Sequence, residues 1–524
     1  MTEQVRRVVV VGGGSAGWLA AGLIAADHQV PKVPGLEVTL VESPTVSPIG
    51  VGEGTWPSMR DTLRRIGVSE TDFIRECDAS FKQGSRFADW SEGRGEHYYH
   101  PFSLPQGYGE ANLVSPWLRE HPAVPFAEAV SHQPLLCERG RAPKQVTTPE
   151  FAAVANYAYH LDAGKFGPFL QRHCTARLGV RHIVDHVTRI ESSDNGDIAA
   201  IVTASHGRIE GDLFVDCTGF SSMLIGQHYG VPLRSVQPQL FNDCALAVQV
   251  PYASADAPIA SHTLSTARAA GWIWDIGLQT RRGVGYVYSG AHTSDEDAER
   301  VLRDYVAHDA GSATGIGADA AAALSPRKLS FRPGFRETMW HRNCVAVGLS
   351  AGFVEPLEAS ALALVEFSVA MVSEQLPPTR ALMDIVAARF NEAFRYRWER
   401  AVEFLKLHYL LSRRDDSAYW RDHRAAATVP PRLGELLSLW RGQLPSRYDF
   451  HRIEEIFPSA SYQYVLYGMG FRPDLSPVAE RVENTALAQR AFAEVASLSK
   501  SMLAALPANR ALLNHLQAYR LQRI

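Results

Sequence analysis

Residues 8–17 read VVVVGGGSAG, and few architectures accommodate that string. Four valines in a row suit a strand buried on both faces in a parallel sheet. Gly12-x-Gly14-x-x-Gly17 follows, then the apolar run Trp18–Ala26, which reads as a helix, then Glu37–Val41, a second strand ending at Glu42. Each glycine has its own task. Gly12 permits the tight turn, Gly14 lets a pyrophosphate reach the backbone, and Gly17 lets the helix lie close to the strand. The helix N-terminus at Ser15, Ala16 and Gly17 presents backbone N–H groups to phosphate. Glu42 is placed to accept a hydrogen bond from a ribose hydroxyl. The pattern predicts a dinucleotide site and leaves FAD and NAD open.

Two later segments favour FAD. Residues 212–220, DLFVDCTGF, read as a strand ending in the small turn Thr218-Gly219. Residues 343–362, NCVAVGLSAGFVEPLEASAL, read as strand, glycine-rich turn and helix. Contact segments returning from distant sequence suit the long FAD molecule. No second full GxGxxG is present for a nicotinamide cofactor, so reduced flavin is expected from a separate NAD(P)H-dependent reductase.

Further along, Met59–Gln83 and Tyr157–Leu178 read as helical, and Tyr98–Thr148 is rich in proline and aromatics. Val184–Phe214 and Leu240–Ser289 read as strands, and Ser294–Ala310 as a helix with a capping signal. From Leu362 the pattern is helical, with breaks near Pro377 and Pro430. The expected fold is α/β: a Rossmann-like FAD-binding core with an interleaved, mixed substrate-facing sheet over residues 1–375, and a mainly helical part over 376–524. Charged residues are 21% and the formal net charge is -4, which gives no field to attract nucleic acid or an anionic membrane. No apolar run reaches the roughly 18 residues of a membrane span, and the N-terminal run is interrupted by glycines, unlike a signal peptide. The six cysteines include no CxxC pair, which points to a reduced, cytoplasmic setting without zinc or a disulfide framework. EHYYH at 96–100 has no supporting cluster, so no metal is expected.

Six ordered motifs then carry a family resemblance: GVGEGTWP, SFKQGSRFADW, NYAYHLDAGKFGPFL, DLFVDCTGF, GWIWDIGL and GFVEPLEASAL. Together with GGGSAGW they make the chain similar to the tryptophan halogenases, FAD-dependent enzymes of monooxygenase-type fold. The resemblance implies use of FADH2, O2 and chloride or bromide to halogenate an electron-rich aromatic carbon, such as that of an indole. It implies that Lys82, in SFKQGSRF, meets hypohalous acid between a flavin chamber and a substrate chamber, by hydrogen bonding or as a haloamine. An ammonium can orient that oxidant, and an amine of lowered pKa can carry the halogen. It implies that Glu358 assists the substitution, stabilising the charged ring or taking its proton. Glu355 is read as structural, facing a helix N-terminus.

By the same resemblance Trp272 and Trp274 wall off the flavin. Residues i and i+2 of a strand share a face. Gly277 stands where the family has proline, and is expected to loosen the strand end. The family's Ser-Thr-Gly after the glutamate is Ala359-Ser360-Ala361 here. Backbone N–H groups of Ser360 and Ala361 would still hold a halide, and the methyl of Ala361 suggests a pocket favouring bromide over chloride. Gly50–Pro57 resembles a strap loop touching flavin and halide sites. Gly54, Val187, Leu349 and Leu362 would also contact FAD. His100 and Phe102 match positions that sandwich an indole, and Tyr462, Tyr464 and Tyr467 lie where the family closes over the substrate. A homodimer is implied as well. Two rival readings share the flavin site: an aromatic hydroxylase, which needs no lysine–glutamate pair, and a flavin-binding protein without turnover.

Overall fold

The strand Arg7–Val11 is central to a six-stranded sheet in the order Trp340–His341, Cys344–Ala346, Leu213–Asp216, Arg7–Val11, Glu37–Glu42, Arg181–Val184. These elements belong to a computed structural model that describes residues 4–33, 35–45, 52–308, 315–452, 454–476 and 485–523. Every pairing in the sheet is parallel except that of the short edge strand Trp340–His341. By packing, the chain forms two units, each from three stretches: Met1–Ala79, Leu161–Val236 and Phe331–Trp398, and Ser80–His160, Gln237–Ser330 and Glu399–Ile524.

The first unit holds the parallel sheet. Its helix Ser15–Asp27 packs against the helices Ala163–Arg177 and Ser360–Glu374. Residues Gly17–Ala25 of that helix are buried without a break, because its sequence is apolar on all sides.

The second unit is organised by a seven-stranded sheet in the order Arg327–Ser330, Cys244–Pro251, Arg281–Tyr288, Gly271–Gly277, Thr263–Arg268, Gly84–Ala88, His97–Pro101. It is antiparallel apart from Thr263–Arg268 beside Gly84–Ala88, which makes it mixed, as expected. One face packs on the helix Asp295–His308 through Ile273, Val284, Tyr286, Leu302 and Val306. The buried pair Arg282–Asp275 joins neighbouring strands, Nε to Oδ1 at 3.0 Å, and Tyr305 donates to Asp275 Oδ2 at 3.0 Å.

Two helices expected from sequence are part strand. Met59–Gln83 divides into the helices Ser58–Arg65 and Glu70–Glu76 and the strand Ser80–Lys82. Gly67, at φ +78°, turns the chain after the first helix. Ser69 Oγ caps the second by accepting from Asp72 N at 3.3 Å, and Asp78, at φ +52°, follows its end. Likewise Ala158–Asp162 is a strand and only Ala163–Arg177 is helical, with Asp162 as its N-cap. The physical reason is non-local: Ser80–Lys82 and Ala158–His160 pair with each other. Gly277 does not loosen its strand. It pairs with Arg282, and a Cβ there would lie 2.9 Å from Ile259. The helical C-terminal pattern and its proline breaks appear as expected, in Ser360–Glu374, Arg380–Leu410 and Pro431–Trp440.

Candidate functional site

In the first unit, the carboxyl ends of four parallel strands meet the glycine turn. Gly12 has φ +111°, and a Cβ on it would lie 2.2 Å from Cys217 O. A Cβ on Gly17 would lie 1.8 Å from Gly12 O, whereas one on Gly14 meets nothing within 4 Å. The turn is therefore closed where protein packs on it and open at Gly14. Gly14 is the N-cap of Ser15–Asp27 and offers no side-chain cap, so the first-turn N–H groups at Ser15, Ala16 and Gly17 have no partner within the helix. An open cradle of N–H groups at a helix N-terminus fits a pyrophosphate. Glu42 ends the adjacent strand. Its Oε1 accepts from His182 Nε2 at 2.8 Å, and its Oε2 would sit 1.5 Å from a Cβ on Gly13.

The Thr218 turn is wired by Asp216, which sequence reasoning missed. Asp216 Oδ2 accepts from the N–H groups of Leu224 and Ile225 at 2.9 Å, and Oδ1 from Thr218 N at 3.0 Å. Leu349 lies in the single turn Gly348–Ser350, where a Cβ on Gly348 would lie 2.9 Å from Ala16 Cβ. Val187 starts a strand just after Asp185, whose N–H donates to Glu42 O at 2.9 Å. Leu362 is buried in the first turn of Ser360–Glu374. Gly54 ends the short strand Gly52–Gly54. Gly50 and Val51, the start of the expected strap loop, lie outside the described residues. Burial raises the Glu53 carboxyl to about 7.

The second element of this unit is the turn before Ser360–Glu374. Glu358 (φ +62°) and Ala359 (φ +54°) are both left-handed without being glycine, at a cost of about 1–3 kcal/mol each. Such strain persists only where contacts hold it. Glu358 is 8% exposed, and its main-chain oxygen accepts from the indole N–H of Trp56 at 2.8 Å. Ser360 and Ala361 open the helix, Ser360 buried and Ala361 exposed, and their N–H groups have no acceptor within the helix. The turn thus places the buried residue Glu358 just ahead of the N-terminal N–H groups of Ser360–Glu374. Glu355 is buried in the same segment.

The second unit holds Lys82, which is 1% exposed, with Nζ 5.3 Å from the Phe102 ring centroid. Lys82 is opposite Ala158, and Ser80 opposite His160, so all four side chains share one sheet face. His160 is buried, and its Nε2 meets Thr263 Oγ1 at 2.9 Å. Burial first, then the charge of Lys82, holds its imidazole neutral, far below its ordinary range. Lys82 is thus a buried lysine beside a histidine held neutral, and a group perturbed as His160 is occurs preferentially at functional sites.

Near it, His100 Nε2 meets Ser461 Oγ at 2.9 Å, and Tyr464 donates to Ser103 O at 3.0 Å. Tyr462 packs among Phe404, Trp440 and Phe450, and Tyr467 against Trp117 and Phe126. All three tyrosines are buried, which pushes their hydroxyls up. A cleft of about 210 Å³ opens beside Tyr467, lined also by Tyr98, Tyr99, Trp117, Phe126 and Arg472. Trp272 and Trp274 do share a strand face, with rings edge-on at 6.4 Å. Within this unit their neighbours are core: Trp272 meets Trp90 at 6.2 Å, and Trp274 covers Gly285. Among the described residues no cluster of three or more His, Cys, Asp or Glu side chains could hold a metal ion, and no helix is long and apolar enough to cross a membrane.

Comparison with known proteins covers the same ground. The tryptophan halogenase family profile matches residues 7–484. The chain is 36% identical to the tryptophan 6-halogenase SttH of Streptomyces toxytricini over 521 residues, 94% of this chain and 96% of that protein. The crystal structure of a tryptophan halogenase from Shewanella frigidimarina superposes with a TM-score of 0.94 at 48% identity, covering 99% of both chains. The tryptophan C-6 flavin-dependent halogenase of taromycin biosynthesis superposes with a TM-score of 0.89 at 34% identity, covering 98% of this chain and 100% of that one. Matched over nearly its whole length in sequence and in fold, the chain belongs to the tryptophan halogenase family.

Proposed function

We propose that this enzyme halogenates an electron-rich ring carbon of an indole or tryptophan-like substrate, using FAD reduced by a separate NAD(P)H-dependent reductase. The observation that supports it most is the strained turn at Glu358–Ala359, which joins a buried carboxylate to the open N-terminus of Ser360–Glu374. When bound, reduced FAD with O2 supplies the power to oxidise halide to hypohalous acid. The open turn at Gly12–Gly17 binds the pyrophosphate, with Glu42 toward the ribose. The N–H groups of Ser360 and Ala361 hold the halide ion. The ammonium of Lys82 orients hypohalous acid toward the ring, which His100 and Phe102 hold. The halogen–oxygen bond breaks as the carbon–halogen bond forms. The displaced ring proton passes to the Glu358 carboxylate and on to the hydroxide left by the halogen, which leaves as water.

The match to tryptophan halogenases does not favour ring hydroxylation. Product mass tests the reading. With a generic flavin reductase, O2 and bromide, free indole or tryptophan should gain a bromine isotope pattern. A gain of one oxygen, or no turnover across an aromatic panel with either halide, would overturn it.

A further inference from the structure

The strained turn is held from a second place. Glu366 lies further along Ser360–Glu374, wholly buried. Its Oε1 accepts from Ser58 Oγ at 3.1 Å, and its Oε2 from Thr62 Oγ1. Both donors stand on the helix Ser58–Arg65, directly after Trp56 and Pro57. The Trp56 ring itself sits edge-on to Phe367, with centroids 6.4 Å apart. One short segment, residues 56–62, is therefore bonded to Ser360–Glu374 through Glu366 and to the turn before it through Glu358 O. A carboxyl can accept two hydroxyl donors at once, which no apolar side chain of that volume can do. The arrangement fixes the two helices in register, and the register sets where the indole N–H meets the left-handed turn.

We propose that Glu366 is a positioning residue for halide binding: with Trp56 it clamps the Glu358–Ala359 turn, and so holds the N–H groups of Ser360 and Ala361 toward the anion. This rests on the reading of Ser360 and Ala361 as the halide donors. Glu366 touches neither halide nor flavin; it acts through Ser58, Thr62 and Trp56.

The test is the bromide dependence of steady-state halogenation by the full-length enzyme, with flavin affinity measured alongside. Glu366→Ala should raise KM for bromide about tenfold and leave flavin affinity within twofold. Glu366→Gln, which keeps the volume and can still bond both hydroxyls, should restore KM to within about threefold of wild type. Thr62→Val, nearly isosteric, should give an intermediate KM and covers the case in which Glu366→Ala does not fold. Ala361→Pro serves as the reference, since it removes one candidate N–H at a first-turn position where proline is tolerated. If Ala361→Pro raises KM while Glu366→Ala and Thr62→Val do not, the clamp is refuted and the halide reading stands. If none of the three moves KM, the halide reading fails and the clamp with it.

Discussion

The indole N–H of Trp56 donates to the main-chain oxygen of Glu358 at 2.8 Å, so a residue next to the glycine-rich Gly52–Gly54 segment holds a residue whose backbone is left-handed. The bond lies within one unit of the chain. Trp56→Phe keeps a ring against Phe367 and deletes the donor. A bond of this kind contributes about 1 kcal/mol, roughly a fivefold effect. Bromide-dependent kcat/KM should fall about fivefold with flavin affinity unchanged, as steady-state rates and flavin titration would read. An unchanged kcat/KM would mean that the turn is held without this bond.

The three motif glycines are not equivalent, and the difference is measurable. Gly17 has no room for a methyl group, with Gly12 O 1.8 Å from its would-be Cβ, whereas Gly14 has open space. Gly14→Ala should leave the melting temperature within a degree or two and weaken FAD binding about tenfold or more, because its methyl occupies the space proposed for the pyrophosphate. Gly17→Ala should lower both stability and flavin affinity. Thermal melts of the flavin-free protein beside flavin titrations separate the two. A Gly14→Ala enzyme with wild-type FAD affinity would contradict the cradle.

Burial raises the Glu366 carboxyl from 4.5 to about 8, and the sign of the pH effect follows. The fold favours the neutral acid, so that contribution to stability is fully present below about pH 4.5 and is lost as the pH rises through about 8. Glu366→Gln cannot ionise. Its stability relative to wild type should therefore grow between pH 5 and 8.5, by a few kcal/mol at most at about 1.4 kcal/mol per pKa unit. Asp61 contributes to the raised value. Urea unfolding at the two pH values reads the difference, and a gap of equal size at both would contradict it.

Much of this was legible in the chain, because the signals were local. The Val8–Val11 run, three spaced glycines and the proline breaks each act within a few residues, and they mark the parallel core and the C-terminal helices correctly. The misread elements depend on distant partners. Nothing near Ser80–Lys82 says that it pairs with Ala158–His160, so the preceding helical pattern reads straight through Lys82. The left-handed backbone at Glu358–Ala359 gives no sequence sign, since glycine occupies neither position. Glu366 in an apolar helix was a signal available and unused: a lone carboxyl at a buried position must have donors, and Ser58 and Thr62 supply them. Asp216 belongs to the same class.

Lys82 and Glu358 are proposed to serve one reaction, and product mass from two single variants tests this most directly. Lys82→Met and Glu358→Gln, each supplied with reductase, FAD, O2 and bromide, should still consume reduced flavin while halogenated product falls about 100-fold or more, the scale of losing a group that assists proton transfer or orients the oxidant. Brominated product formed at the wild-type rate by both variants would contradict the account.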